Sequence, residues 1–375
     1  MNILFIGIDF YPRRSPSDKN YWLSLLEEIK QRAERTYVIS FVKEKPSRHI
    51  EFYDDVEFKY YRLVPFISPY SVVGGFISRF EAFFRNIQDI RKTIQNGRID
   101  IVHFVDNFGL AMPTMKIMFK KPVVCASIPT ARTGNKVYDF ILRISYSKLD
   151  HVIAFTDFLK GSLSRIGIDN KKISVIRWGA SIEKNWTKKN HNKDKKVLLW
   201  TGFLTQVREE DFLFAVDLAK RIVSATDKCR FVFCFKPHYF QEKYRAYGSK
   251  KIEIQPNMSY HRIAEKSDIF FCPIKNRNKI IAPPLTWIEM MLKGTPVITT
   301  QVNAIEEIIR DGINGYACKD EQAIIACTLQ LIEHDDLYLQ MSDNAAKTVA
   351  EQYNLIGSAT QYLRLWEHVY GQTRC

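Results

Sequence analysis

The stretch from Pro283 to Tyr316, PPLTWIEMMLKGTPVITTQVNAIEEIIRDGINGY, leaves the least freedom to the fold. Pro283 and Pro284 precede an apolar run with one internal carboxylate, Glu289. Lys293-Gly294 supplies a cation in the last helical turn and a glycine beyond it. Pro296 then opens a β-branched strand, Val297 to Thr300. Asn303 is positioned to cap a second helix whose first turns carry Glu306 and Glu307. Asp311-Gly312 and Asn314-Gly315 are turn dipeptides flanking Ile313. On residues alone the stretch decodes as loop, helix, strand, helix and turn. Its first helix points an N-terminus at a loop able to receive an anion, with Glu289 about a turn inside.

The rest of the chain repeats that alternation. Apolar strands are expected at Ile3 to Ile8 (running into Asp9), Tyr37 to Val42, Val56 to Val64, Asp100 to Phe104, Pro122 to Ser127, His151 to Phe155 and Ile173 to Ile176. A helix is expected from Tyr21 to Arg35, and Thr156 caps another. Lys184 to Lys196 is charged and poor in apolar residues, as a linker is. A second series then starts, with strands at Val197 to Thr201, Arg230 to Phe235, Ile252 to Gln255 and Ile269 to Cys272. Helices follow at Glu321 to His334, Leu337 to Gln352 and Ile356 to Tyr370. The fold class is α/β, as two doubly wound domains at 1–183 and 197–355 joined by a linker at 184–196. Ligands of such folds bind at the carboxyl ends of the strands.

The opening stretch resembles the donor-binding core of the family-four glycosyltransferases, which have the GT-B fold. The matching residues are Pro284-Leu285, Glu289, Gly294-Thr295-Pro296-Val297-Ile298 and Glu307 to Gly315. The resemblance implies two Rossmann-like domains facing a cleft, with 356–375 crossing back onto the first. It also implies a retaining transfer of a hexose from a nucleotide diphosphate-sugar, with no bound metal and no other cofactor.

By the same resemblance, Glu289 takes the ribose hydroxyls. The family's diphosphate-binding Arg and Lys follow the first strand of the second domain, where this chain has Gly202 to Glu209. Arg208 fits the lysine position, and Phe203 replaces the arginine. Lys236, Lys275 and Lys279 stand near strand ends and can compensate. The first glutamate of the family's Glu-x7-Glu would be Ile281, so recognition of the sugar must differ from the family norm. Because Pro283 and Pro284 bring no N–H groups, the phosphate-facing amides are those of Ala282, Leu285 and Thr286, with the Thr286 hydroxyl. The base is expected beside Met258. On the acceptor side the family's first-loop glycines are replaced by Arg13-Arg14-Ser15-Pro16-Ser17-Asp18, after Asp9. The usual catalytic histidine is Val105. Asp106 and Asn107 follow it, and a carboxylate there can orient or deprotonate an acceptor hydroxyl. His103 reads as a core histidine. The losses at Phe203, Val105 and Ile281 raise an alternative, a catalytically inactive relative serving as a nucleotide-sugar-binding scaffold.

A formal charge of +14 calls for a partner or a solvated surface. No reader-module signature accompanies it, so nucleic acid is not expected. The segment Pro69 to Gly97 interleaves Val72, Phe76, Phe80, Phe83 and Phe84 with Arg79, Arg85, Arg91 and Lys92. It reads as one helix, either packed on the sheet or docked on anionic membrane beside a glycan or lipid-linked acceptor. Seven scattered cysteines with no C-x-x-C pair indicate free thiols and a cytoplasmic protein, on the inner face of the membrane if it docks. No H-x-x-x-H or D-x-D motif proposes a metal. The start, MNILFIGIDF, lacks a basic lead or cleavage site and is expected to be strand, not signal.

Overall fold

A computed structural model describes residues 1–9, 17–42, 49–53, 55–63, 72–105, 107–119, 122–128, 134–181, 195–202, 209–235, 241–256, 264–275, 280 and 282–374. The chain divides into two units, Met1–Ser181 with Leu355–Cys375, and Ile182–Asn354.

The first unit is built on strands β1 (Asn2–Ile8), β2 (Arg35–Val42), β3 (Ile50–Tyr53), β4 (Val56–Arg62), β5 (Ile101–Phe104), β6 (Val123–Ile128), β7 (His151–Ala154) and β8 (Ile173–Val175). They stand in the order β3-β4-β2-β1-β5-β6-β7-β8. β1 sits in mid-sheet and is buried along its whole length, which explains an apolar run without polar alternation. Only β3 runs antiparallel, against β4. Sequence reading missed β3 because it lies at an edge with Ile50 and Phe52 exposed, so no buried run marks it.

The helices of this unit are α1 (Ser17–Lys30), α2 (Val72–Arg85), α3 (Ile87–Asn96), α4 (Ala111–Met118), α5 (Lys136–Ser147) and α6 (Asp157–Arg165). The segment expected to be one helix is therefore two. Asn86 breaks it: its side chain donates back to the Ala82 carbonyl at 2.8 Å, competing with the helical ladder. The break lets α2 bury Ala82 and Phe83 while α3 separately buries Ile90, Thr93 and Ile94. Thr156 caps α6, accepting from the Leu159 amide at 3.1 Å.

The second unit carries β9 (Lys196–Gly202), β10 (Cys229–Phe235), β11 (Ile252–Pro256), β12 (Ile269–Cys272), β13 (Val297–Thr300) and β14 (Gly315–Cys318). Their order is β11-β10-β9-β12-β13-β14, parallel throughout. Its helices are α7 (Glu209–Ala225), α8 (Leu285–Leu292), α9 (Glu321–Glu333) and α10 (Asp335–Gln352). Lys196, assigned to the linker by its charge, is instead the first residue of β9. Its ammonium pairs with Asp335 at 2.5 Å and lies over the Tyr338 ring, so a lysine can be buried there.

The helix expected after β13 shortens to a single 3-10 turn, Ile305–Glu307, and Asn303 does not cap it. The chain enters the turn through Ala304 in the left-handed region, φ 58°. The groups that would extend it into an α-helix are taken by others. The Arg310 amide donates to Asn314 Oδ1 at 2.8 Å, and the Ile308 carbonyl accepts from Asn314 Nδ2 at 3.0 Å. The Glu307 carbonyl accepts from the Tyr353 hydroxyl at 2.7 Å. Asn314, fully buried, thus closes the turn from inside, and its Nδ2 also reaches Thr348 Oγ1 at 2.9 Å. Gly315 follows because a Cβ there would stand 2.6 Å from the Val297 carbonyl oxygen.

The last helix, α11 (Leu355–Arg374), belongs to the first unit and packs against α1. It buries Ala359, Tyr362, Leu363, Trp366 and Val369, the helical spacing of one face. It is hydrogen-bonded along its length, by Ser358 to the Arg177 carbonyl, Thr360 to Arg32, and Tyr370 to Asp100.

Candidate active site

In the second unit the strand registers align one edge. Gly202 at the end of β9 stands opposite Phe235 of β10, and Phe235 opposite Pro256 of β11. Cys272 of β12 stands opposite Thr299 of β13. β9, β10, β11, β12 and β13, all parallel, therefore end towards this edge. Helix α8 starts there too, since it connects the end of β12 to the start of β13. Arg208, Lys236 and Met258 lie outside the described residues, as do Phe203, Lys279 and Ile281.

Helix α8 has a buried side and a half-buried one. Trp287, Ile288, Met290 and Met291 are buried. Leu285, Thr286 and Glu289 are half-buried, and Glu289, four residues after Leu285 and three after Thr286, neighbours both on the helix surface. The Trp287 amide is taken by the Pro284 carbonyl at 2.9 Å, and Pro284 gives no side-chain cap. The helical amides ahead of Trp287 are those of Leu285 and Thr286. They and the Glu289 carboxylate sit on successive turns, so a ligand with an anionic part and a diol part can span them. At the other end Gly294, φ 66°, closes the helix as Lys293-Gly294 predicts.

The loop after β12 is held where it leaves the strand. The Ile274 amide donates to Thr300 Oγ1 at 3.0 Å, and the Lys275 amide donates to Asp211 Oδ1 at 2.8 Å. Asp211 is in the first turn of α7, so this bond ties the N-terminal end of α7 to the loop that precedes α8. Sequence reading missed it, because an acidic first turn reads only as dipole complementation. Glu209 in the same turn pairs with Lys243 at 2.6 Å, and that hydrogen bond lowers its carboxyl pKa.

In the first unit, β1 and β5 are neighbours with Ile6 opposite Phe104. Asp9 and Asn107 each stand three residues past that pair, at the same edge. Asp9 takes φ 53° as its amide donates to the Phe41 carbonyl at 3.0 Å. Asn107 is buried, its Oδ1 accepting from the Gly109 amide at 2.9 Å, while its Nδ2 has no hydrogen-bond partner. The Asn107 carbonyl accepts from Arg79 of α2 at 2.5 Å. Sequence reading had put Arg79 on a basic border; here it braces the segment after β5. Arg14 and Asp106 lie outside the described residues.

His103 is buried in the core, as its sequence position suggests. Its Nε2 meets Ser127 Oγ at 2.9 Å, with Phe5, Trp22, Tyr362 and Trp366 around the ring. Burial pushes its pKa down to about 3, so it is a neutral core group. Among the described residues no His, Cys, Asp and Glu cluster is arranged to hold a metal.

Two family models match adjacent parts of the chain: glycosyltransferase family 4 over residues 19–184, and glycosyl transferases group 1 over residues 195–334. An uncharacterized 41.2 kDa protein in the cps region of Klebsiella pneumoniae is 23% identical over 263 residues, 62% of this chain and 69% of that protein. Sucrose-phosphate synthase from Thermosynechococcus elongatus has a similar fold, with a TM-score of 0.77 at 12% identity over 99% of each chain. So does HepE from Anabaena, solved in complex with UDP and glucose, with a TM-score of 0.70 at 13% identity over 98% of this chain and 100% of that one.

Proposed function

Because the chain belongs to the group 1, family-four glycosyltransferases and has their GT-B fold, we propose that it moves a hexose from a nucleotide diphosphate-sugar to a glycan, lipid-linked or small-molecule acceptor. The observation that carries this reading is the half-buried face of α8, where Leu285, Thr286 and Glu289 stand together at the edge from which the segments after β9, β10, β11 and β12 depart.

In this reading Glu289 accepts hydrogen bonds from both ribose hydroxyls. The Leu285 and Thr286 amides, the Thr286 hydroxyl and Arg208 take up charge that grows on the diphosphate as the bond from its terminal oxygen to the sugar C1 breaks. Gly202 lets the backbone approach the phosphates, Lys236 adds a second cation, and Met258 borders the base. Asp106 holds the acceptor hydroxyl and takes its proton while the hydroxyl oxygen bonds to C1. Asp9, Arg14 and Asn107 position the acceptor. Transfer with retention and without a metal follows the family resemblance. The free thiols suit the reducing cytoplasm, and no described helix is long and apolar enough to cross a membrane. UDP is the first nucleotide to test, since HepE was solved with it.

The test is calorimetric titration of UDP, GDP and ADP into the protein and its Glu289→Ala variant, followed by transfer assays with the matching sugar donors. One nucleotide should bind, and the variant should lose it. Equal affinity in both proteins would remove Glu289 from the site. Tight nucleotide binding with no transfer or hydrolysis of any donor would favour the scaffold alternative.

A further inference from the structure

We propose that the outer sides of α5, α4 and α2 form a surface that rests on an anionic lipid bilayer. Helix α5 carries two apolar faces. One buries Leu142 and Tyr146. The other shows Val137, 69% exposed, Phe140, 60%, and Ile144, 38%, spaced i, i+3, i+7 as a single outward stripe. A helix that serves only as a layer on a sheet has no use for the second face. The neighbouring helices add to it. Helix α4 packs against α5 and exposes Ile117 and Met118 at its end, and α2 packs against α4 and exposes Phe80. Elsewhere among the described residues, large exposed apolar side chains stand on edge strand β3 or singly, as at Leu213, Ile313 and Ile356.

The charges around the stripe choose the occupant. Lys136 precedes Val137, Arg143 precedes Ile144, and Lys148 lies one turn past Ile144; all three are exposed. Lys136 and Arg143 are two turns apart and line one border of the stripe. Asp139 is the one acid of α5, and it is half-buried. An apolar stripe edged by cations suits the boundary between anionic headgroups and acyl chains. A second copy of this surface would bring the same cations face to face, which disfavours self-association.

The position of the surface deepens the proposed transfer, and rests on that reading where it concerns the acceptor: α4 begins four residues after Asn107, so a lipid-borne acceptor would be presented from this side. Of the two readings of the Val72 to Lys92 segment, packed on the sheet or docked on membrane, packing holds for part of it. Its α3 half packs inward through Ile90 and Ile94, and the contact moves to α5.

Vesicle sedimentation without donor or acceptor tests the surface independently of the reaction. The protein should sediment with vesicles of phosphatidylglycerol and phosphatidylcholine, less so at 0.5 M salt, and stay in solution with phosphatidylcholine alone. Val137→Ser, Phe140→Ser and Ile144→Ser together should weaken binding by about tenfold or more, and Lys136→Glu with Arg143→Glu should do the same. Circular dichroism confirms the fold of each variant, and Phe140→Ser alone serves if the triple variant fails to fold. Wild-type protein that stays in solution with both vesicles, or variants that bind as wild type does, would overturn the proposal. So would a wild-type dimer in analytical ultracentrifugation that the serine substitutions dissociate, since the stripe would then cover a second copy. Vesicle binding that persists while no donor is transferred or hydrolysed would sink only the transfer reading.

Discussion

His103 and Tyr362 meet at a single oxygen: the Ser127 hydroxyl stands 2.9 Å from His103 Nε2 and 2.9 Å from the Tyr362 hydroxyl. The three residues come from β5, α11 and β6, so this buried chain joins the final helix to the middle of the first sheet. Tyr362→Phe removes one bond but leaves Ser127 its histidine, and should cost about 1 kcal/mol. Trp366→Ala, which empties the volume beside the His103 ring, should cost about 3–5 kcal/mol. Urea unfolding followed by near-ultraviolet circular dichroism measures both, and equal effects would show that packing does not anchor the helix.

The same burial makes stability depend on acid. Burial pushes His103 down to about 3 and His151 to about 4, from an ordinary 6.5. Between those values and 6.5 the unfolded chain binds protons that the native chain does not. Stability is therefore complete above pH 6.5 and falls as the pH drops through that window. His103→Gln removes one such proton, and should flatten the loss between pH 6 and pH 5 by about 1 kcal/mol. Urea midpoints at pH 7, 6 and 5 for the two proteins check the slope.

On the donor side, Glu289→Gln keeps the size of the side chain and removes its charge. If the carboxylate accepts two ribose hydroxyls, affinity for the nucleotide should fall by about 10- to 100-fold, the range of hydrogen bonds to a charged acceptor. A 2′-deoxyribose nucleotide should lose affinity for the wild-type protein and much less for the variant. Calorimetry on the four combinations measures the coupling, and additive losses would separate Glu289 from the ribose.

Asn314 is a structural residue within a motif that resembles ligand-binding ones. Asn314→Ala leaves the Arg310 amide and the Ile308 carbonyl without their buried partners, and should cost about 2–4 kcal/mol. Thermal unfolding should show the loss, while nucleotide affinity measured below the transition should stay as in the wild type.

Much of this was legible in the sequence because it rests on short-range rules. Thr156 as a cap, Lys293-Gly294 as a stop and β1 as a buried run are settled by neighbouring residues. The second helix after β13 was not legible, because what halts it at Glu307 is the side chains of Asn314 and Tyr353 returning from later in the chain. The Arg79 brace on Asn107 and the Asp211 tie to Lys275 are likewise contacts between distant segments. Residues of the candidate site announced their type through the motif around Glu289. Which face they share became apparent only from the burial of Trp287, Ile288 and Met290 on the opposite side.

The membership of α11 in the first unit has a consequence for how the protein is made. As the chain leaves the ribosome, the sheet centred on β1 is finished early, yet the aromatic wall that Tyr362 and Trp366 supply arrives only after the entire second unit has been synthesised. During that interval Phe5 and Trp22 lack their cover. The nascent first half is thus a natural client for chaperones, and fragments ending before Leu355 should aggregate more readily than the whole protein.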